Sequence, residues 1–562
     1  MKPNAVHPRA EPTGLGWVLW PAAVALPWLV PSHAAPWTTF HADAATAAAL
    51  AALAAWALAQ PGRWPLDRLG VGALALALIP LAQAMSGRLL YAGDGVMAAA
   101  FLAAVAAAVA IGRRCEALAP GRLPDALFAG LGVAAFGSTG LVLYQGLGLD
   151  ALGVLVAPLP DGRRATANVG QPNLLATLQL WGLLALWWAW LRGQARSGVA
   201  LAGAAFLVFA LAATESRTGA VGALVLAAAL VAFTDGRRAR VALAAAAVLV
   251  VYLASLLIWT WPDSTMGGAP PLERIAIGRR PSIWLLMIDA ITRGPAFGYG
   301  WNQGTLAQEA VAATHAPLGL VIQHAHNVVL DLMVWNGPWI GAAAAVALLA
   351  WFVVRWRAVR RPPEVVLLLV PTLLLWHAMV ELPHVLLVLL LPAALATGVL
   401  LQRTGVTPPL RVPRPLCAVA VLLLVGYLGA VWLQYRAVED DLRASLVRAR
   451  RIGDLSPVPP PPTPLLAPLG DVLRAVRVVP QAGIDAATID ALERSARRYP
   501  SDGALFRLAQ VAALNGRPEL AAQSLQRLCR LYPQAACRAA HAAWKAQSEN
   551  NDALRGVPLG AP

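Results

Sequence analysis

Charged residues are scarce in this chain of 562 residues: only 13% are Asp, Glu, Lys or Arg, whereas 58% are hydrophobic. A soluble protein of this composition would have far more apolar side chain than it could bury, so that class is excluded. Apolar runs of about 18 residues or more recur, which predicts an all-α polytopic membrane protein. Residues 15–30 lack a small-residue cleavage site, so we expect them to form the first span rather than a signal peptide.

A continuous basic face is also missing, although the net charge is +15. The arginines lie in short loops between apolar segments, and this distribution excludes nucleic-acid binding as the reason for the charge. We predict thirteen membrane spans, at residues 15–30, 43–60, 69–86, 95–112, 125–146, 172–191, 197–213, 217–234, 241–261, 327–354, 365–381, 385–402 and 415–435.

The arginines predict the orientation of these spans. With the N-terminus in the cytoplasm, the short outer loops hold only Arg88 and the pair Arg163/Arg164. This positive-inside pattern places the longest polar interruption, residues 262–327, and the C-terminal tail on the outer side of the membrane. The predicted cytoplasmic loops hold Arg63/Arg68, Arg113/Arg114/Arg122, Arg192/Arg196, Arg237/Arg238/Arg240, Arg355/Arg357/Arg360/Arg361 and Arg403/Arg411/Arg414.

Cysteine is rare, and its four positions agree with this orientation. Cys115 and Cys417 fall near predicted cytoplasmic ends, where thiols stay reduced. Cys529 and Cys537 fall in the outer tail on either side of a Tyr-Pro turn, where they could bridge two antiparallel helices. The spacing alone leaves that disulfide undecided.

Three domains are predicted. Residues 1–435 form the transmembrane domain, residues 436–468 an amphipathic helix and a stiff Pro-rich linker, and residues 469–562 a helical tail. Tyr499-Pro500 recurs as Tyr532-Pro533, 33 residues later. This period predicts a tetratricopeptide-like tail, and a small helical bundle with a chance repeat is the alternative.

The interruption at 262–327 carries Arg274, Arg279, Arg280 and Arg293, and Arg217 begins a predicted span nearby at the outer boundary. Guanidinium groups bind the oxygens of a pyrophosphate in pairs, so Arg217, Arg279 and Arg280 are candidate ligands for such an anion. For Arg217 the alternative is an internal salt bridge with Glu215.

The same interruption ends in His324-Ala-His326-Asn327. Histidine suits acid–base work near neutral pH, and Asn327 with the start of the following helix could orient it. One alternative is that His324 and His326 are only capping or interfacial histidines. Another is a metal site using His315, His324 and His326, which the lack of a nearby cysteine or carboxylate cluster disfavours.

Three further polar groups lie at predicted outer boundaries. His377 and Glu381 are four residues apart on one helical face, where they either support the site or form a structural hydrogen bond. Gln171 and Asn173 precede a leucine-rich span, and loop capping is the alternative role. The loop at residues 31–43 holds two histidines, an aspartate and aromatic residues, and could be only an interfacial belt.

Together these segments resemble the O-antigen ligase and polymerase superfamily of bacterial envelopes. The family's HN motif matches His326-Asn327, and nine residues separate Asn327 from Gly337. Three positions after this glycine the family often has a second Gly, whereas this chain has Ile340 there and Gly341 at the next position. Within the superfamily the chain looks most like PglL-type protein O-oligosaccharyltransferases. That resemblance rests on the order of the 31–40 loop, Gly170-Gln-Pro-Asn173, Ser216-Arg217-Thr218-Gly219, Arg280-x-x-x-Trp284, Pro295…Gly298-Tyr-Gly300-Trp301 and His377…Glu381-Leu-Pro383.

The resemblance implies an inner-membrane enzyme whose site faces the periplasm. It implies an undecaprenyl-pyrophosphate-linked glycan as donor, held by Arg217 and Arg280, and a Ser or Thr of a periplasmic protein as acceptor, activated by His326. It implies inversion at the anomeric carbon and neither metal nor cofactor. The supporting groups would be His324, Gln171, Asn173 and Glu381.

Three other functions remain open from the sequence. A ligase acting on lipid A core, or a polymerase acting on another glycan, would keep the same chemistry. A transporter or flippase should show charges at mid-membrane depth and an inverted repeat, and neither is visible. A scaffold with a membrane anchor would not need thirteen spans.

Overall fold

The computed structural model describes residues 15–33, 35–159, 164–234, 238–260, 278–450 and 458–559. The helices of the membrane domain are α1 (Leu15–Leu29), α2 (Phe40–Ala59), α3 (Arg68–Met85), α4 (Ala92–Leu118), α5 (Arg122–Gly146), α6 (Pro172–Leu191), α7 (Ser197–Ala213), α8 (Arg217–Ala232), α9 (Arg238–Thr260), α10 (Arg280–Arg293), α11 (Gly304–Val311), α12 (Val328–Asn336), α13 (Pro338–Ala358), α14 (Pro362–Ala378), α15 (Leu387–Arg403) and α16 (Arg414–Ala449). The helices of the tail are α17 (Ala467–Ala475), α18 (Ala486–Arg498), α19 (Asp502–Leu514), α20 (Pro518–Leu531), α21 (Gln534–Ser548) and α22 (Asp552–Arg555). Short 3-10 turns cover Gly153–Leu155, Ala167–Val169 and Pro383–Val385, and strands β1 (Trp64–Leu66) and β2 (Leu410–Val412) pair antiparallel.

Within the described residues, eight helices are long and apolar enough to cross a membrane: α2, α3, α4, α5, α6, α9, α13 and α16. Five shorter apolar helices, α1, α7, α8, α14 and α15, accompany them. The protein is therefore a helical, multi-pass membrane protein, as predicted. The number of thirteen spans and their orientation stay predictions.

Small residues let the central helices pack closely. A Cβ on Gly112 of α4 would lie 2.3 Å from the Leu395 carbonyl oxygen of α15, and one on Gly398 would lie 2.1 Å from that of Val109. Such contacts are typical of membrane helices, whose association depends on backbone approach rather than on the hydrophobic effect. This interface holds the segments before α15 close to α4.

One predicted span is wrong in its form. The sequence predicts a single span over residues 327–354, but the helix is interrupted at Gly337, which separates α12 from α13. Gly337 has a φ of +83°, and a Cβ there would lie 2.0 Å from the Ala296 carbonyl oxygen. Only glycine fits this close approach in the left-handed region, so the helix ends where the outer segment packs against it.

The predicted outer interruption contains helices and its own core. Residues 261–277, including Arg274, lie outside the described residues. The remainder forms α10 and α11, and apolar side chains of both pack with Trp301 and Trp335 in one buried cluster. Trp301 donates its indole N–H to Asn336 Oδ1 at 2.8 Å. This core fixes Arg280 and His326 relative to α12.

The tail packs back onto the membrane domain. The predicted amphipathic helix does continue out of the last span, since α16 runs unbroken to Ala449. The Pro-rich linker does not hold the tail at a distance: Leu465 donates its backbone N–H to Gln434 Oε1 at 2.9 Å, and Leu466 packs against Phe40 and Tyr435.

Within the tail the two Tyr-Pro turns lie together. They follow α18 and α20, and Tyr532 donates its hydroxyl to the Pro500 carbonyl at 3.0 Å. A disulfide joins Cys529 of α20 to Cys537 of α21, which settles the pairing that the sequence left open. The tetratricopeptide assignment stays a prediction.

Candidate active site

Glu381 lies at the centre of the candidate site, in the turn between α14 and α15. Its side chain is only 6% exposed. His326 Nδ1 contacts Oε1, and Oε2 accepts hydrogen bonds from Arg280 Nη2 at 3.0 Å and Asn173 Nδ2 at 3.1 Å, with Gln171 Nε2 at 3.5 Å. Four of the predicted site residues, from three distant segments, therefore meet on one carboxylate.

The surroundings keep that carboxylate ionised. Burial by itself would raise the pKa of Glu381, but the hydrogen bond from His326 and the charges of His326 and Arg280 outweigh it and bring the pKa to about 2. Charge-assisted hydrogen bonds of this kind hold both partners in fixed geometry. The predicted alternative, a structural hydrogen bond between His377 and Glu381, is not seen.

Asn327 sets the position of His326. Asn327 caps α12, accepting hydrogen bonds from the backbone N–H groups of Val329 and Leu330, and it donates to the Met379 carbonyl at 3.0 Å. His326 itself has a φ of +53°, a conformation that non-glycine residues seldom adopt without support. With Nδ1 on Glu381 and the side chain 32% exposed, the other ring nitrogen, Nε2, is available to a substrate.

Asn173 and Gln171 act as a pair at the start of α6. Gln171 caps this helix through its side-chain oxygen, which accepts from Leu174 N at 2.7 Å, so the capping alternative is correct for that atom. Asn173 instead bridges two charged groups, accepting from Arg164 Nη2 at 3.0 Å and donating to Glu381.

Arg164 is a site residue that the sequence analysis missed. It also donates from Nε to the Thr214 carbonyl at 2.6 Å. Burial lowers its pKa, and the nearby positive charges of Arg280 and Arg217 act in the same direction, so three guanidinium groups share this region. The sequence did hold a sign of it: Arg164 lies in a short predicted outer loop, where the positive-inside pattern leaves few arginines.

The other predicted arginines differ in their surroundings. Arg217 begins α8 with an exposed side chain, and the described part of the chain offers it no hydrogen bond or ion pair, so the salt bridge with Glu215 is not seen. Arg279 is exposed too, and donates to the Leu318 carbonyl at 3.1 Å rather than joining Glu381.

The remaining predicted histidines flank the centre. His377 is buried in α14, where its Nδ1 lies 2.7 Å from Thr177 Oγ1. His324 lies edge-on to Trp335, with ring centroids 5.9 Å apart, and burial lowers its pKa to about 4. His324 is therefore neutral near pH 7.

The three histidines of the proposed metal site have separate surroundings. His315 Nε2 lies 3.0 Å from Asp289 Oδ2, His326 contacts Glu381, and His324 contacts Trp335. Elsewhere in the described residues Cys529, Cys537 and His541 lie close together, but the two cysteines are joined in the disulfide.

A cavity of about 1730 Å³ adjoins His326. Apolar side chains of α3, α4 and α13 form a large part of its wall, and His324, His326 and His384 contribute polar groups. Arg498 and Tyr499 from the tail also line it. A large apolar chamber that meets convergent polar groups is the usual form of a binding site for an amphiphilic substrate.

Comparison with known proteins finds two family matches and two relatives. Residues 202–338 match the family described as O-antigen ligase, and residues 365–547 match a family described as the C-terminal part of a virulence factor membrane-bound polymerase. The first match contains Arg217, Arg280 and His326, and the second contains Glu381. Part of the chain is therefore similar to the O-antigen ligase family.

The chain is 25% identical over 534 residues to a general O-oligosaccharyltransferase of Acinetobacter baylyi, and the match covers 91% of each chain. It is 26% identical over 239 residues to a ComP-specific O-oligosaccharyltransferase of the same organism, a match that covers 42% of this chain and 43% of the relative. The resemblance found in the sequence is therefore confirmed, and the protein is an enzyme of the glycosyltransferase class. The transporter and scaffold alternatives receive no support.

Proposed function

We propose that this enzyme transfers an oligosaccharide from undecaprenyl pyrophosphate to Ser or Thr hydroxyls of periplasmic proteins, at the outer face of the bacterial inner membrane. The observation that carries the proposal is the convergence of His326, Arg280 and Asn173 on Glu381 beside a large apolar cavity. A base, a cation and a lipid-sized chamber are the parts that such a transfer needs.

The reaction is a single displacement. The acceptor hydroxyl oxygen attacks the anomeric carbon, its proton passes to His326 Nε2, and the bond from that carbon to the pyrophosphate oxygen breaks with its electron pair remaining on the pyrophosphate. Glu381 holds Nδ1 of the ring and stabilises the imidazolium that forms. One displacement inverts the configuration at the anomeric carbon.

Arginines stabilise the leaving group in this proposal. Arg280, Arg217 and Arg164 lie in one region, and Arg217 is exposed to receive an anion. Both oxygens of Glu381 already accept from His326, Arg280 and Asn173, so the proposal assigns charge stabilisation to guanidinium groups rather than to a metal ion.

A protein acceptor is supported by the names of both relatives, which are O-oligosaccharyltransferases. The description of the matched family, O-antigen ligase, supports the second candidate, in which the acceptor is lipid A core or another glycan. Both candidates use the same centre and differ only in the hydroxyl that enters it.

The test is glycosylation in cells that supply a lipid-linked glycan and a periplasmic acceptor protein. We expect wild type to modify the protein, and His326→Ala and Arg280→Ala to abolish modification while remaining in the membrane. Matched controls are His315→Ala, in the same outer segment, and Arg293→Ala, at the other end of α10, since both residues pair with Asp289 away from the site.

The outcomes separate the candidates. Glycan on lipopolysaccharide, with none on protein, would show that the enzyme is a ligase. Activity of the two site variants equal to that of the controls would contradict the assigned centre.

A further inference from the structure

Five side chains that line the large cavity each carry a buried nitrogen atom with no hydrogen-bond partner among the described residues. One is Arg355, near the C-terminal end of α13, and the other four atoms are His324 Nδ1, Trp335 Nε1, His384 Nδ1 and Arg498 Nη1. Buried polar groups are nearly always paired with protein, water or ligand. A cluster of four unpaired atoms on one cavity wall therefore points to an occupant of the cavity.

These side chains form one group. The ring of Trp335 lies 5.9 Å from that of His324 and 6.1 Å from that of His384, and it packs at 4.6 Å against Trp301. His384 is fixed from behind, because its Nε2 lies 2.9 Å from Asp331 Oδ2. The wall thus combines aromatic faces with held nitrogen atoms.

Arg498 reaches this wall from the tail. It is the last residue of α18, only 6% exposed, and its Nε donates to Asp94 Oδ2 at 2.9 Å. Arg498 and His324 both line the cavity. The positive charge of Arg498 is one of those that lower the pKa of His324, after the larger effect of burial.

The tail is held at the cavity by several contacts. Tyr91 donates its hydroxyl to Asp471 Oδ2 at 2.8 Å, and Arg527 pairs with Glu309 at 2.6 Å. Leu465, Leu466 and Tyr499 line the cavity beside Arg498. The tail is therefore part of the cavity wall.

We propose that the tail completes a saccharide-binding subsite, in which Arg498, His324, Trp335 and His384 bind the sugar units of the lipid-linked donor. Sugars offer many hydroxyl groups, which donate and accept hydrogen bonds, and apolar ring faces, which pack on aromatic side chains. Trp335 Nε1 and Arg498 Nη1 are N–H donors, and His384 Nδ1 is an acceptor, because its Nε2 donates to Asp331. The rings of Trp301, Trp335 and Tyr499 supply the aromatic faces. The subsite lies in the same cavity as His326, where the first sugar of the donor must react. The identity of the donor rests on the proposed function.

The test compares two ligands on the purified full-length enzyme in nanodiscs. One is an undecaprenyl-pyrophosphate-linked oligosaccharide beginning with an N-acetylhexosamine, and the other is undecaprenyl pyrophosphate without sugar. We expect Arg498→Gln and Trp335→Phe each to weaken binding of the glycan-bearing lipid by about tenfold or more, as for loss of a hydrogen bond to a charged or buried group. Binding of the sugar-free lipid should change by less than about twofold, because its contacts lie elsewhere.

Arg527→Gln is the matched control. It removes a docking ion pair of the tail but does not touch this cavity, so it should leave the preference for the glycan-bearing lipid unchanged. Trp335→Phe keeps an aromatic ring and is independent of tail docking, which separates a lost donor from a displaced tail.

Two results would overturn the subsite. If the variants weaken binding of the glycan-bearing and the sugar-free lipid equally, Arg498 serves only to dock the tail. If they weaken binding of neither lipid, the nitrogen atoms bind only water. If wild type shows the expected preference yet modifies no protein, the protein acceptor is wrong and the subsite stands.

Discussion

Glu381 and His326 are 55 residues apart in the chain, yet the carboxylate of one contacts the Nδ1 atom of the other. The contact fixes which ring nitrogen faces the substrate, because Nδ1 is occupied and Nε2 is left. It also places a negative charge where an imidazolium would form, which is the arrangement that makes histidine an effective base.

Removing that charge should slow transfer without removing the base. We expect Glu381→Gln, which keeps the size of the side chain, to lower the rate of glycan transfer by about a hundredfold or more. Initial rates with purified enzyme would measure this. Glu364→Gln is the control, since Glu364 lies in the first turn of α14, the helix that precedes Glu381, at the end away from the site; equal rates for the two variants would contradict the role of Glu381.

Arg164 should bind the donor. Arg164→Gln removes the positive charge and the hydrogen bond to Asn173, and we expect the KM for the lipid-linked donor to rise about tenfold to a hundredfold, since such bonds contribute about 1.5–3 kcal/mol. The KM for the acceptor should stay the same. Arg88→Gln, which changes an exposed arginine in a different loop, is the control; a rise in the acceptor KM alone would assign Arg164 to the other substrate.

The long apolar helices could be predicted from the sequence because continuous apolar runs favour both helix and membrane, whereas the number of spans stays a prediction. Asn327 was named as a residue that could orient the histidine before it, but its role as the cap of α12 was not predicted, although an Asn before an apolar run is a local capping signal. The break at Gly337 was missed, although Gly-Pro inside a predicted span is a turn signal, because the run of apolar residues on both sides fits one helix.

The arrangement of the site could be predicted only in part. His326, Arg280 and Glu381 were named from their residue types at the predicted outer boundary, and the resemblance implied their roles. Nothing local shows that Glu381 joins the other two, since it lies 55 residues from His326 and 101 from Arg280. The docking of the tail depends likewise on pairs such as Asp94 and Arg498, 404 residues apart. Such contacts arise from tertiary packing, which a single sequence does not encode in any short pattern.

His324 should make the enzyme less stable as the pH falls. Its folded pKa of about 4 lies below the ordinary value of 6.5, so between these values the unfolded chain binds a proton that the folded chain does not. Stability from this residue is present above pH 6.5 and is lost as the pH falls toward 4. Unfolding temperatures across this range should fall less for His324→Gln than for wild type, and an equal fall would contradict the burial of a neutral ring.

The disulfide should form only if the tail faces an oxidising compartment. When cells are solubilised and then treated with a thiol reagent, we expect Cys417 to be labelled directly. Cys529 and Cys537 should be labelled only after their disulfide has been reduced. Replacing both tail cysteines with Ser should lower the stability of the tail by about 2–3 kcal/mol, as expected for a short closed loop. Labelling of the tail cysteines without prior reduction would contradict a periplasmic tail.

The most direct measurement is transfer in a purified system. The enzyme would be given an undecaprenyl-pyrophosphate-linked oligosaccharide and a peptide with a single Ser, alongside the same peptide with Ala, and products would be read by mass spectrometry. We predict a glycopeptide of inverted linkage from wild type with the Ser peptide, none with the Ala peptide, and a loss of at least about a hundredfold with His326→Ala. Glycopeptide formed by His326→Ala at the wild-type rate would contradict the account.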